Sequence, residues 1–136
     1  MSDIPARLRR LVVLRAGGRC EYCGLSQEGQ EATFHVDHIL PKAAGGLTQA
    51  ENLALACVSC SLRKEARRSA IEPKSNRKVA LFHPRRRRWR AHFQWEGLRI
   101  SGLTSTGRAT VAALQMNRPL ILAIREEEAL RGWHPL

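Results

Sequence analysis

Two Cys-x-x-Cys pairs constrain the fold of this chain more than any other feature. The first pair is Cys20 and Cys23, and the second is Cys57 and Cys60. Within each pair a tight turn lets both sulfurs point at one centre, and four thiolates in a tetrahedral arrangement suit zinc. We therefore predict a structural Zn²⁺ site with a closed shell. Two redox-active dithiols or four inert buried cysteines are the alternatives, and the redox alternative lacks the βαβ pattern that would support it.

The charge balance favours an anionic partner. The 136 residues include 23 Lys and Arg against 12 Asp and Glu, which gives a formal net charge of +11. Such an excess is typical of proteins that neutralise phosphates, because binding releases the counterions of the nucleic acid. We predict a nucleic acid as the partner, and the charge alone does not distinguish DNA from RNA. A protein whose basic faces are merely solvated is the other interpretation.

The sequence gives no sign of a membrane segment. It contains no run of about 18 apolar residues, so we expect no transmembrane helix and no membrane partner. The N-terminal MSDIPARLRR has no apolar stretch of the kind that a secretory signal needs. We therefore expect a cytoplasmic protein, in which cysteines serve as metal ligands rather than as disulfides.

Periodicity predicts a helix and a strand around the first cysteine pair. Apolar residues at mostly three- and four-residue spacing predict a helix over residues 4–16, with Ser2 or Asp3 as its cap. A turn follows at the first cysteine pair, where Gly24 allows a positive φ. Residues 33–36 predict a short strand with Phe34 and Val36 on one face.

The segment before and after the second cysteine pair reads as helical. Thr48 is followed three residues later by Glu51, as in a capping box, and this predicts a short helix over residues 52–56. A second helix, rich in Lys and Arg, is predicted over residues 61–69. Its basic residues share one face and are candidates for phosphate contacts: Arg63, Lys64, Arg67 and Arg68.

The composition changes after residue 70. Residues 71–78 read as a connector, and an arginine run that is a second candidate for nucleic-acid binding follows: Arg85, Arg86, Arg87 and Arg88. Residues 92–95 and 98–103 predict a hairpin that turns at Glu96-Gly97. Residues 106–116 and 119–130 predict two helices. We expect tryptophans here to pack rather than to stack on bases.

The segment between the cysteine pairs contains residues suited to phosphodiester hydrolysis. An imidazole with a pKa near neutrality can activate water, and His38 is the candidate. The neighbouring Asp37 offers the hard oxygen that Mg²⁺ or Mn²⁺ prefers, and in extended chain it points away from His38. Asn52 is placed to orient His38 by a side-chain hydrogen bond, although an Asn near a helix start also commonly caps it.

The combined pattern resembles a known family. The arrangement C-x-x-C … H-V-D-H-I-x-P … G-G … E-N-L … C-x-x-C … K is similar to the HNH endonucleases that carry a four-cysteine zinc frame. The segments LFHPRRRRW, FQWEG and GLTSTGRATV are similar to the tail of a bacterial subgroup of that family. The resemblance thus covers residues 6 to 135.

The resemblance implies an α+β fold and a metal-dependent DNA endonuclease. The fold would be a ββα-metal core stapled by the zinc site, with an N-terminal helix and a C-terminal hairpin plus helices. Residues 1–70 would form this core, and residues 71–136 a basic extension that packs on it within one domain. Asp37 would be a ligand of the catalytic Mg²⁺, Mn²⁺ or other divalent metal, His38 the general base, and Asn52 the residue that braces the loop and positions the base.

One position departs from the family pattern. The family usually has Asn or His directly after the second cysteine pair, as the other protein ligand of the catalytic metal, and here that residue is Ser61. A hydroxyl is a shorter and weaker ligand than an amide or an imidazole. Three outcomes stay open: metal held by Asp37, Ser61 and water, recruitment of His35, or a zinc-stabilised nucleic-acid-binding module without catalysis.

Overall fold

Residues 4–134 are described by a computed structural model, and they form small antiparallel sheets interleaved with helices. The fold is α+β, as the sequence indicated, and the four cysteines lie together like a zinc site. In chain order, the helices and strands are α1 (Ala6–Arg15), β1 (His35–His38), β2 (Leu53–Ala56), α2 (Val58–Lys64), β3 (Ser69–Ile71), β4 (Lys78–Ala80), α3 (Trp89–His92), β5 (Phe93–Glu96), β6 (Arg99–Gly102), α4 (Ser105–Ala113) and α5 (Pro119–Leu130).

Helix α1 is shorter than predicted. Pro5 precedes it in extended conformation and offers no capping side chain, while the predicted caps lie outside the described residues. Gly17 and Gly18, at φ 64° and 69°, end the helix as expected. Val12 is fully buried. Arg15 at the last turn donates to Ala50 and Leu53 carbonyls at 3.0 and 2.8 Å, which ties the helix to β2.

The predicted helix over residues 52–56 is wrong. A 3-10 turn, Ala50–Asn52, leads directly into strand β2, which pairs antiparallel with β1 so that Asp37 lies opposite Ala54 and His38 opposite Leu53. All four residues of β2 are buried, at 0–2% exposure. A strand covered on both faces has no alternating pattern, and its Leu and Ala residues therefore read as helical.

Strand β1 also starts later than predicted, although its side chains lie on the expected faces. It spans His35–His38 rather than residues 33–36. Phe34 and Val36 are buried at 2% and 7% exposure, whereas His35 is exposed. The extension of the strand to His38 puts Asp37 and His38 on regular, alternating backbone.

Two predictions for the chain after the second cysteine pair are wrong. Helix α2 ends at Lys64, because Glu65 adopts a φ of 50°, and it does not run to residue 69. The expected connector forms a hairpin instead, in which β3 pairs with β4. Glu72 closes the turn by accepting from the Lys74 and Ser75 amides at 2.6 and 3.2 Å. Three-residue strands are too short to show a pattern in the sequence.

The C-terminal elements follow the sequence closely. The hairpin β5–β6 turns one residue later than predicted, because Glu96 pairs with Arg99 and the turn falls at Gly97 and Leu98. Helix α4 starts at Ser105, with the Thr104 hydroxyl accepting from the Gly107 amide at 3.0 Å, and it ends three residues early. Helix α5 has the predicted bounds, Pro119–Leu130.

One hydrophobic cluster takes residues from both halves of the chain. It includes the four cysteines, β2, Phe82, Phe93 and Ile100. Trp89 extends the cluster as the sequence indicated, since its ring centroid lies 5.0 Å from that of Phe93 and its Nε1 donates to the Tyr22 carbonyl at 2.8 Å. The C-terminal aromatics therefore pack directly on the cysteine-bearing turn.

No helix within residues 4–134 combines the length and the apolar character needed to cross a membrane.

The close approach of α4 to His92, the last residue of α3, gives a stability test. A Cβ on Gly107 would lie 2.0 Å from the His92 carbonyl oxygen. An exposed helical Gly→Ala change normally stabilises, but here we expect Gly107→Ala to cost about 1–3 kcal/mol in the free energy of unfolding through overpacking. Urea titration measures the effect, and Ser105→Ala at an exposed position of the same helix serves as the control. Equal stability of the two variants would contradict the close approach.

Candidate active site

The four cysteines form one compact, buried cluster. Cys20 and Cys23 lie in the turn after α1, whereas Cys57 directly precedes α2 and Cys60 lies within it. The four sulfurs are within 4.8 Å of one another, and each residue is 1–3% exposed. A tetrahedral zinc–thiolate site places sulfurs about 3.8 Å apart, given a zinc–sulfur distance of about 2.3 Å. The cluster is positioned to hold a metal ion, and its single centre disfavours two separate redox dithiols.

Hydrogen bonds within the cluster shift the pKa values of its thiols in different directions. Burial raises the pKa of the Cys20 thiol, but hydrogen bonds from Cys23, Cys57 and Cys60 outweigh it and hold that pKa well below its ordinary value. Donation to Cys20 and neighbouring sulfurs raises the pKa values of Cys23 and Cys60. These shifts favour the thiolate at Cys20 and the thiol at Cys23 and Cys60. A bound divalent cation would favour the thiolate form of its ligands.

The first cysteine turn is fastened to β2 by a residue that the sequence analysis overlooked. The Glu21 amide donates to the Leu55 carbonyl at 2.8 Å, and a Glu21 carboxylate oxygen accepts from the Leu55 amide at 2.8 Å. The other carboxylate oxygen makes a close ion pair with Arg85. A pairing across more than sixty positions leaves no local signal in a single sequence.

Asp37, Ser61 and His35 converge beside this cluster. The Ser61 hydroxyl donates to Asp37 Oδ1 at 3.1 Å, and Ser61 Oγ lies 2.7 Å from His35 Nδ1. Because the hydroxyl hydrogen is directed at Asp37, the imidazole N–H is the donor in the second bond. The structure thus brings together the three side chains that the sequence analysis named for a divalent metal.

Burial and the neighbouring charges act in opposite directions on the pKa of Asp37. Burial raises the pKa of Asp37, and this is only partly opposed by the Ser61 hydrogen bond and by Lys64 and His35. Lys64 is itself buried at 3% exposure, and burial lowers its pKa despite the Asp37 charge. A half-buried carboxylate with one hydroxyl donor is the kind of oxygen that Mg²⁺ or Mn²⁺ ligates, so the donor set fits a divalent metal.

His38 lies at the end of β1, next to the loop that follows. Its Nε2 is 2.8 Å from the Thr48 hydroxyl oxygen. Burial lowers the pKa of His38 and nearby Lys42 lowers it further, while Asp37 acts in the opposite direction. Burial and Lys42 thus both favour the neutral imidazole, which is the form of histidine that can accept a proton. Thr48 does not cap a helix, and the sequence carried no signal for its contact with His38.

Asn52 contacts the loop rather than the histidine. Its Oδ1 accepts from the Leu40 amide at 2.8 Å, and its Nδ2 donates to the Leu40 and Leu47 carbonyls at 3.0 and 2.9 Å. Within residues 4–134, the hydrogen bonds of this side chain all go to backbone, so the expected direct bond to His38 is wrong. Asn52 closes the loop between β1 and the 3-10 turn, and it is buried at 9% exposure.

The predicted basic face on α2 does not exist as one surface. The helix ends before Arg67 and Arg68, which are exposed, and Arg63 is half-buried. Lys64 points inward and donates to the Ile39 carbonyl at 3.3 Å. Its ammonium is beside Asp37 and is not available on the surface for a phosphate.

The arginine run is similarly divided. Arg85 is half-buried in its pair with Glu21, and burial, with Arg15 nearby, lowers its pKa to about 10. Arg86, Arg87 and Arg88 are exposed. A cavity of about 300 Å³ opens beside them, and its lining includes four guanidinium groups and two indoles: Arg15, Arg19, Arg87, Arg90, Trp89 and Trp95.

Comparison with known proteins finds a family similarity in the central segment. Residues 20–67, which run from the first cysteine past α2, match the family model described as HNH endonuclease. The matched segment, residues 20–67, is called the HNH domain below. No curated protein and no solved structure matches the chain. The HNH domain contains both cysteine pairs and the Asp37–Ser61 contact, while the arginine run and the elements from β3 onward lie beyond the matched segment.

The role of Asn52 in the HNH domain can be tested by an isosteric change. Asn52→Asp keeps the acceptor for the Leu40 amide but places a carboxylate against two carbonyls. We expect a loss of about 1–3 kcal/mol per unsatisfied buried group and faster amide hydrogen exchange over residues 40–47.

Asn117→Asp is the matched control, because Asn117 bridges the Ile100 amide and carbonyl, both at 2.8 Å, in the β5–β6 hairpin. Its exchange should increase in that hairpin and leave residues 40–47 protected. Unchanged exchange in Asn52→Asp would show that the amide does not hold the loop.

Proposed function

We propose that this protein is a metal-dependent endonuclease that hydrolyses phosphodiester bonds in DNA. The observation that carries the proposal is the placement of two chemistries on consecutive residues of β1 in an HNH domain. Asp37 belongs to a carboxylate–hydroxyl–imidazole group with Ser61 and His35, and His38 is an imidazole whose pKa is lowered by burial.

We propose that the four-cysteine cluster holds Zn²⁺ as a structural ion. All four ligand positions are supplied by protein, so the ion has no open site for a substrate. Its effect on the reaction is positional, because the cluster joins the cysteine turn to the start of α2, from which Ser61 reaches Asp37.

The second metal belongs to the group around Asp37. Asp37 and Ser61 would hold Mg²⁺, Mn²⁺ or another divalent ion, with His35 as a further ligand. Such an ion, when bound, supplies Lewis-acid stabilisation of the phosphate and of the leaving oxygen. Lys64 keeps a positive charge near Asp37 and stabilises its ionised form.

His38 supplies the general base in this proposal. A water molecule loses a proton to the imidazole as its oxygen attacks phosphorus, and the bond to the leaving oxygen breaks on the opposite side. The lowered pKa favours the neutral imidazole that can take up a proton, and the nearby Asp37 stabilises the positive charge that forms.

The DNA backbone would meet the exposed arginines of both basic stretches. Among the residues named from sequence these are Arg67, Arg68, Arg86, Arg87 and Arg88, with half-buried Arg63 beside the active site. Lys64 and Arg85 serve the interior instead. Guanidinium contacts of this kind fix the position of the backbone without reading the sequence, and RNA would satisfy them as well.

A nucleic-acid-binding module without catalysis is the second candidate. Ser61 favours it, because a hydroxyl stands where the family pattern has Asn or His. In this alternative the zinc cluster and the arginines hold DNA, and the contact of Ser61 with Asp37 and His35 is only structural. The two candidates differ in cleavage and agree in salt-sensitive binding.

The general base gives the first test of cleavage. With Mg²⁺ or Mn²⁺, we expect His38→Gln to nick supercoiled plasmid at least about 100-fold more slowly than wild type, with DNA affinity and zinc content unchanged. His83→Gln, a change outside the HNH domain, is the matched control. The wild-type rate should rise with pH and level off above a pKa below 6.5, because the base must be deprotonated and its pKa is lowered. Equal nicking by both variants would assign the activity to other residues.

The residue at position 61 separates the two candidates. If the protein is a nuclease, wild type cleaves, Ser61→Ala cleaves about 10-fold more slowly or worse, and Ser61→Asn stays within about 10-fold of wild type. If the site lacks a ligand, wild type binds DNA without cleaving it, and Ser61→Asn introduces cleavage. Plasmid nicking across a metal titration measures both, with isothermal calorimetry reporting metal affinity.

A further inference from the structure

The Thr48 hydroxyl is the side-chain group that the structure places against the imidazole of His38. Thr48 Oγ1 lies 2.8 Å from Nε2, and both residues are half-buried. The hydroxyl has no capping role here, since the 3-10 turn Ala50–Asn52 has Gln49 at its N-cap and no side-chain cap. We propose that Thr48 is a positioning residue that fixes the ring orientation and the tautomer of His38, and leaves Nδ1 as the basic atom; this rests on the proposed nuclease function.

Two hydrogen-bond arrangements fit the distance between Thr48 and His38. In the first, Nε2–H donates to the hydroxyl oxygen and Nδ1 carries the lone pair. In the second, the hydroxyl donates to Nε2, and Nδ1 then carries the proton and cannot accept another. Only the first leaves a basic nitrogen on the side of the ring away from Thr48.

The proton transfer itself favours the first arrangement. When Nδ1 takes the proton from water, the ring becomes an imidazolium with N–H donors at both nitrogens. The hydroxyl oxygen can accept from Nε2–H before and after this step, and the bond becomes stronger because its donor is then charged. In the second arrangement the bond would have to break as the ring is protonated. Thr48 therefore holds the ring throughout the step.

A hydrogen bond from Asn52 and the close packing of Gly46 hold the loop that carries Thr48. Asn52 Nδ2 donates to the carbonyl of Leu47, the residue directly before Thr48. Gly46 packs so closely that a Cβ there would lie 1.7 Å from the Leu40 carbonyl oxygen and 2.9 Å from Asn52 Nδ2. Asn52 thus positions His38 indirectly, through the backbone at Leu47 and the hydroxyl of Thr48.

Nuclear magnetic resonance tests the tautomer without any substrate. Long-range proton–nitrogen spectra of the zinc-loaded full chain at pH 8 distinguish Nε2–H from Nδ1–H. We expect Nε2–H in wild type and in Thr48→Ser, and a mixture of tautomers in Thr48→Val, which keeps the shape but removes the hydroxyl. Thr48→Ala replaces Thr48→Val if the latter does not fold, and Thr33→Val at an exposed site is the matched control.

Cleavage kinetics provide the second readout. We expect kcat of Thr48→Val to fall about 10–100-fold with KM within about 2-fold, as for residues that orient a catalytic group. Thr48→Ser should stay within about 3-fold of wild type. Nδ1–H in wild type, a wild-type tautomer in Thr48→Val, or equal losses in the Ser and Val variants would overturn the proposal. If wild type does not cleave, the nuclease function fails, and the spectra alone decide the role of Thr48.

Discussion

The cluster of four cysteine sulfurs is the contact on which the remaining geometry depends. Cys57 directly follows strand β2, and Cys60 directly precedes Ser61. A metal ion at this cluster therefore fixes how the β1–β2 hairpin meets α2, and that junction is where the Ser61 hydroxyl reaches Asp37. A four-residue strand and a seven-residue helix are too short to define such a contact by their own packing.

Features that depend on the chemistry of particular residue types could be predicted from the sequence. Features that depend on contacts between distant residues could not. The spacing of the paired cysteines predicted the metal cluster, because few other roles need four cysteines in this pattern. Asp37 and His38 became candidates through their chemistry and the family resemblance. Strand β2 was misread as helix, since burial on both faces removes its alternation. The contacts of Thr48 with His38 and of Asn52 with Leu40 join residues ten or more positions apart, and such contacts leave no local pattern in a single sequence.

Net charge overstated the surface that is available to nucleic acid. Several of the Lys and Arg side chains that contribute to the net charge of +11 make contacts inside the protein. Arg125 is 1% exposed, donates to the Leu98 carbonyl at 2.8 Å and lies 5.2 Å from the Trp95 ring centroid. Lys64 and Arg85 are used in the same way. The number of arginines indicates that the preferred partner is negatively charged, whereas burial decides which guanidinium groups can reach that partner.

The outer side of β2 shows how a two-stranded sheet can avoid having an open edge. On that side, the Glu21 amide donates to the Leu55 carbonyl and the Glu21 carboxylate accepts from the Leu55 amide. Arg15 donates to the Leu53 carbonyl. These groups would otherwise be free to pair with an extended segment of another molecule. With them occupied, the apolar Leu-Ala-Leu-Ala strand offers no template for edge-to-edge aggregation, even though its sequence has the low charge and the hydrophobicity that such association requires.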